Sequence, residues 1–184
     1  MSANKNMCYT TFSGVKIDPM NVNESDINIR DIARSLSMQC RYNGHIKDFY
    51  SVAEHSVMVA NFAASDGQDP EIIKCCLMHD ATEAYLQDIP TPIKCHLPDY
   101  MEWEQDLWEL IANKYKLPLD LPEEVHYYDK KALFTEMPQL LQFPPDLDYS
   151  IYNVDCDNLY PLKNLQPREA ELEFMSEWID RFEY

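Results

Sequence analysis

Residues 76–90 read CLMHDATEAYLQDIP, with the adjacent pair His79-Asp80 set inside an otherwise apolar helical pattern. Helical spacing over PEIIKCCLMHDATEAYL, residues 70–86, puts Ile72, Cys76, His79 and Glu83 on one face. Ile73, Leu77, Asp80 and Ala84 share the neighbouring face. Asp69-Pro70 opens this helix as an N-cap followed by proline at the first helical position. Two side chains that are costly to desolvate, side by side on an inward turn, need a partner that compensates them. A metal ion is the strongest candidate.

The flanking sequence supplies more helices. In SVAEHSVMVANFAAS, residues 51–65, Ser51 precedes Glu54 by the spacing of a capping box, and Val52, His55, Val59 and Phe62 form one stripe, so His55 points inward. Upstream, NIRDIARSLSMQC from Asn28 places Ile29, Ile32, Ala33 and Leu36 together, with Asn28 and Asp31 in cap-like positions. YTTFSGVKIDP, residues 9–19, reads as a short hairpin or extended lead-in. Downstream, the prolines of QDIPTPIK must end the helix over residues 70–86. PDYMEWEQDLWELIANKYKL then makes a long helix with Tyr100, Trp103, Leu107, Leu110 and Ile111 inward. The helix after Leu121-Pro122 carries Val125, Tyr128, Asp129, Ala132 and Leu133 together, so Asp129 is a carboxylate on an apolar face. Residues 138–166 lack periodicity and suit an ordered wrapping loop or short irregular strands. PREAELEFMSEWIDRF closes the chain as a helix with Ala170, Phe174, Trp178 and Ile179 inward. The expected class is mainly all-α: one helical-bundle domain over residues 1–184, with its motif core at about 28–137 and a C-terminal wrapping loop and helix at 138–184.

Composition bounds the function. A length of 184 residues with 46% hydrophobic residues suits one domain, and three glycines leave little scope for a glycine-rich phosphate loop. A net charge of −17 repels a nucleic-acid polymer. A small anionic substrate remains compatible, because a local cation outweighs acidic surface screened over roughly 8–10 Å. The six cysteines have no CxxC spacing and read as reduced core thiols. MSANKNMCYTTF has no apolar h-region and no run approaches the span of a bilayer, so the expected place is the cytoplasm, with no membrane partner.

Four polar residues thus fall on inward faces of three helices: His55, the His79-Asp80 pair and Asp129. Taken singly, a buried histidine is more often a hydrogen-bonded core residue than a ligand, and an aspartate more often faces solvent. Their joint occurrence favours a divalent transition metal such as Zn, Co, Mn, Ni or Fe(II), with positions left open for water and substrate. Glu83, four residues beyond His79, is placed to accept a proton from an attacking water. Arg41 offers a donor fork suited to phosphate and Lys94 a point charge. His45, in YNGH, suits substrate phosphate or a loop cap, while His96 and His126 have weaker claims.

The order H…HD…D resembles the signature of HD-domain metal-dependent phosphohydrolases. CRYNGHIKDFYSVAEHSVMVA, LMHDATEAYLQDIPTPIK and YYDKKALFTE are similar to its compact phage and bacterial branch, that of YfbR-type 5′-deoxynucleotidases and phage DatZ-type dATP triphosphohydrolases, over roughly residues 12–137. The resemblance implies His55, His79, Asp80 and Asp129 as metal ligands, Glu83 as the residue that orients or deprotonates water, and Asp88 as a second catalytic carboxylate. It implies Arg41 and Tyr42 as the pair meeting phosphate and sugar, where deoxynucleotidases have Arg-Trp. It further implies water attack at the α-phosphorus of a 2′-deoxynucleotide, dATP foremost, or alternatively a deoxynucleoside monophosphate. A second Mg or Mn would accompany the substrate phosphates, the chain would form a dimer or hexamer, and a phage-encoded member would act in the host cytoplasm. A different class, a non-catalytic nucleotide-sensing or interaction module, keeps the same ligands as a staple between helices.

Overall fold

The computed structural model of the chain describes residues 8–146, Val154 and residues 160–183. The fold is mainly α-helical, as expected. Strands β1 (Tyr9–Thr10) and β2 (Lys16–Ile17) form an antiparallel hairpin whose turn uses Gly14 at φ +90°. The helices follow as α1 (Ile29–Met38), α2 (Val52–Ser65), α3 (Pro70–Met78), α4 (Glu83–Leu86), α5 (Thr91–Lys94), α6 (Pro98–Tyr115), α7 (Glu123–Leu140) and α8 (Pro167–Phe182). Residues 147–153 and 155–159 of the expected wrapping loop, with Cys156, lie outside the described residues. No helix among the described residues is long and apolar enough to cross a membrane.

Helix α2 is the axis of the bundle, packing against α1, α3, α7 and α8. Ser51 caps it by accepting from the Glu54 amide at 3.1 Å. The reciprocal half of the expected capping box does not form. The Glu54 carboxylate instead accepts the backbone amides of Lys163, Asn164 and Leu165 at 2.9–3.0 Å, fastening the chain ahead of α8. Burial pushes the Glu54 pKa up in spite of those three donors, so its ionised form is costly where it stands.

Four expectations need correction. The helix read through residues 70–86 breaks: α3 ends at Met78, and Ala81, Glu83 and Ala84 donate three residues back to Met78, Asp80 and Ala81. Tight 3₁₀-type turns of this kind shift side chains off the 3.6-residue repeat. Asp69 extends backbone into α3, but its side chain makes no cap bond. Trp103 and Ile179 are exposed, at 39% and 46%, because the apolar stripes of their helices are narrower than their sequences suggest; Trp108 and Trp178 are the buried tryptophans. Finally, α7 continues through Pro138 to Leu140, absorbing the proline in its last turn, where Gln139 donates to the Thr135 and Tyr160 carbonyls.

Candidate metal centre and adjoining cleft

Three parts of the bundle meet at one point. Helix α2 supplies His55, the turn closing α3 supplies His79 and Asp80, and α7 supplies Asp129. The break after Met78 matters here, since neighbours on a regular helix diverge by about 100°. His55 is fully buried. The His79 Nδ1 lies 2.8 Å from the Cys76 carbonyl, which can only accept, so Nδ1 carries the proton. His55 Nδ1 lies 2.6 Å from Glu136 Oε1, and Glu136 is held ionised by Arg41 and His55 against its own burial. Both rings therefore turn Nε2 toward each other's side of the site.

Each Nε2 is buried and has no hydrogen-bond partner among the described residues. His55 Nε2 stands 3.2 Å from Asp129 Oδ1 and 3.8 Å from Asp80 Oδ2, without hydrogen-bond geometry. His79 Nε2 stands 3.2 Å from Asp80 Oδ2 and 3.9 Å from Asp129 Oδ1. Ligand atoms about 2.1 Å from one cation stand roughly 3–4 Å apart. His55, His79 and Asp80, whose ligand atoms all lie within 4.8 Å of one another, fit a divalent metal in type and spacing, and Asp129 stands beside them.

Burial disfavours charge throughout, yet the carboxylates win. Asp80 sits well below the usual range because His79, His55 and Arg41 outweigh its burial. Asp129 is lowered by His55 and His79. His55 is pushed up to about 9: burial and Arg41 oppose its proton, and Glu136 and Asp129 outweigh them. A metal takes only the neutral ring, so cation binding must displace a proton. We expect affinity to rise roughly tenfold per pH unit for each proton displaced, levelling above about pH 9, with calorimetry in buffers of different ionisation enthalpy counting the protons. The raised pKa also stabilises the metal-free fold below the unfolded value, about 6.5, and this contribution is lost as pH rises through about 9.

Beside the centre lies an open cleft of about 440 Å³, within the range that holds small-molecule ligands. His79, Asp80, Glu83 and Asp129 form its polar end, and Met101, Leu119 and Leu121 contribute apolar wall. Lys94 lines it too, 2.8 Å from Glu104. Glu83 is buried with Oε2 unpartnered among the described residues, and burial, then Asp80 and Asp88, raise its pKa well above the carboxylate range. Asp88 does not line the cleft, but it acts on Glu83 through charge and is itself raised by burial. Gln39 fixes both, donating to the Glu83 carbonyl and accepting from the Asp88 amide, each at 2.9 Å.

Arg41 and Tyr42 are half-buried behind the ligands and are not part of the cleft lining. Arg41 Nη1 is 3.8 Å from Asp80. His45 is a correction: three consecutive left-handed residues, Tyr42, Asn43 and Gly44, turn the chain so that His45 ends exposed and off the cleft. His96 is exposed, whereas His126, also exposed, does reach the cleft wall. Glu136 and Gln39 were missed. Glu136 had a signal, standing seven residues, two helical turns, beyond Asp129 on the same face; Gln39 had none.

No family model matches the chain. It is 45% identical over 126 residues to the uncharacterized protein YfdR of Escherichia coli strain K12, with 68% of each chain covered. The chain belongs to the YfdR family. A second relative, the uncharacterized protein RCAP_rcc00048 of Rhodobacter capsulatus, is 36% identical over 125 residues, 65% of this chain and 64% of that protein. The chain thus spans about two thirds of the length of these YfdR-family relatives.

Proposed function

We propose that this YfdR-family chain is a metal-dependent phosphohydrolase of the HD-domain type, acting on 2′-deoxynucleotides in the cytoplasm. The observation that carries the reading is the pair of buried, unpartnered Nε2 atoms facing Asp80 and Asp129 at the polar end of a ligand-sized cleft. A structural histidine would have its second nitrogen satisfied. His55, His79, Asp80 and Asp129 would hold the cation. When bound, the cation would supply Lewis-acid chemistry, polarising a phosphoryl oxygen and lowering the pKa of a nearby water and, by its charge, of Glu83.

The protein's own groups do the rest. Glu83, kept from solvent and oriented through Gln39, takes the proton of a water that attacks the α-phosphorus, while the P–O5′ bond breaks and the leaving O5′ takes up a proton from solvent, releasing the nucleoside. Lys94 balances charge growing on the phosphoryl oxygens from the cleft wall, and Arg41, fixed by Glu136 behind Asp80, adds its positive charge from outside the cleft. The apolar wall suits a nucleobase.

Likeness to the DatZ-type branch favours dATP, releasing deoxyadenosine and triphosphate. One observation favours a deoxymonophosphate: Lys94 is the only lysine or arginine lining the cleft among the described residues, and Glu104 already pairs with it, leaving little to hold a long phosphate tail. Metal-stripped protein supplied with Co, Mn, Zn or Mg and a panel of ribo- and deoxynucleoside mono-, di- and triphosphates separates these. Triphosphate from dATP supports the first, phosphate from deoxymonophosphates alone the second. Silence with every metal sinks the nucleotide reading.

A further inference from the structure

We propose that Glu136 is a positioning residue for the cation site, one carboxylate oxygen orienting the His55 ring and the other holding Arg41 and Tyr42 in place behind Asp80. The inference rests on the proposed function only in taking the site to hold a cation, while its geometry is independent of substrate. Glu136 is fully buried in the second half of α7. Its Oε1 accepts from His55 Nδ1 at 2.6 Å, and its Oε2 accepts from Arg41 Nε at 3.2 Å and from the Tyr42 hydroxyl at 2.9 Å. Buried carboxylates that meet three donors from two separate segments cannot move toward one without leaving another.

The two ends have distinct jobs. On Oε1, the bond fixes the His55 ring from its Nδ1 side and leaves Nε2 beside Asp80 and Asp129, free to take a cation once its proton is displaced. On Oε2, the bonds hold Arg41 with its Nη1 toward Asp80, and retain Tyr42 in a left-handed backbone conformation, φ +56°, that a tyrosine adopts only under constraint. A residue serving only as a structural tie between α7 and the 41–44 turn would show the second set of bonds and have no reason to address the ring nitrogen of His55.

The test is Co(II) titration of the metal-stripped full chain, followed by calorimetry and by visible absorption. Glu136→Gln keeps the side-chain shape, and is expected to bind Co(II) 10- to 100-fold more weakly than wild type with an altered visible spectrum. Tyr42→Phe withdraws one donor from Oε2 alone, and is expected to keep Co(II) affinity within about threefold. A Glu136→Gln protein with wild-type affinity and spectrum overturns the proposal, as does a Tyr42→Phe loss as large as that of Glu136→Gln. Should Glu136→Gln fail to fold, ring ¹⁵N spectra of wild type with zinc decide: a retained, strongly hydrogen-bonded Nδ1 proton on His55 supports it, and zinc on Nδ1 overturns it. Because Co(II) binding needs no substrate, silence in the nucleotide panel with these results intact would sink only the substrate reading. A wild-type chain that takes up no Co(II) would overturn both.

Discussion

Replacing Asp129 with alanine is expected to lower phosphoester hydrolysis by on the order of 10³ while leaving the melting temperature of the metal-stripped protein within a few degrees of wild type. The first figure follows from the several kcal/mol that a bound cation contributes to a charged transition state, at 1.36 kcal/mol per tenfold in rate. The second follows from position: the Asp129 side chain is 40% exposed, so its loss opens no enclosed cavity. It also removes a carboxylate that holds the proton on His55, so the His55 pKa falls. Weaker cation binding, by at least about 100-fold, should accompany the lost rate. A variant that stays folded and loses both would exclude the module in which the cation merely staples helices. A variant that unfolds when the cation is withdrawn, while wild type does not, would favour it.

Glu83→Gln is expected to lower kcat by roughly 10² to 10⁴, the range for removal of a positioned general base, with cation affinity little changed. The pH profile carries a sharper signature. Burial beside Asp80 and Asp88 raises the Glu83 pKa in the metal-free protein and a bound cation opposes that rise, and a base acts only when ionised, so the wild-type rate climbs with pH through a limb that Glu83 sets. That limb should vanish in the variant. Stability moves the other way. A carboxyl whose folded pKa is raised stabilises the fold below its unfolded pKa and withdraws that stability as pH rises through the folded value. Glu83→Gln should therefore melt higher than wild type near neutral pH in the absence of metal. A variant less stable at neutral pH, with its rate limb unchanged, would remove Glu83 from the role of base.

Much of this arrangement was legible because helical spacing constrains direction: the repeats around His55, His79-Asp80 and Asp129 sent all four inward, and the bundle brings their polar atoms within 3.9 Å of a neighbour in the set. What was not legible depended on competition between distant groups. Ser51 and Glu54 have the spacing of a capping box, yet three amides ahead of α8 outbid the local one for the Glu54 carboxylate. Trp103 is apolar enough for the core, but the width of the buried stripe on α6 is set by its neighbours. Glu136 reads as an ordinary helix glutamate until the 41–44 turn is folded against it. The left-handed backbone at Tyr42, which helps carry His45 away, leaves no mark in its residue type, although Asn43 and Gly44 beside it are of the kinds that adopt that conformation most readily.

The break between α3 and α4 changes which kind of sequence variation this chain can absorb. On an unbroken helix, the spacing between two ligands sets only their angle, and a conservative exchange of ligand type is the sensitive event. Here His79 and Asp80 end one helix and Glu83 begins the next, joined by tight turns with their own three-residue hydrogen bonds. One residue added between Met78 and Glu83, or removed at Ala81 or Thr82, would turn α4 by about 100° about its axis and carry Glu83 out of the cleft wall while every ligand residue remains in the chain. Chain length across these four positions is thus as strict a requirement as residue identity at the centre.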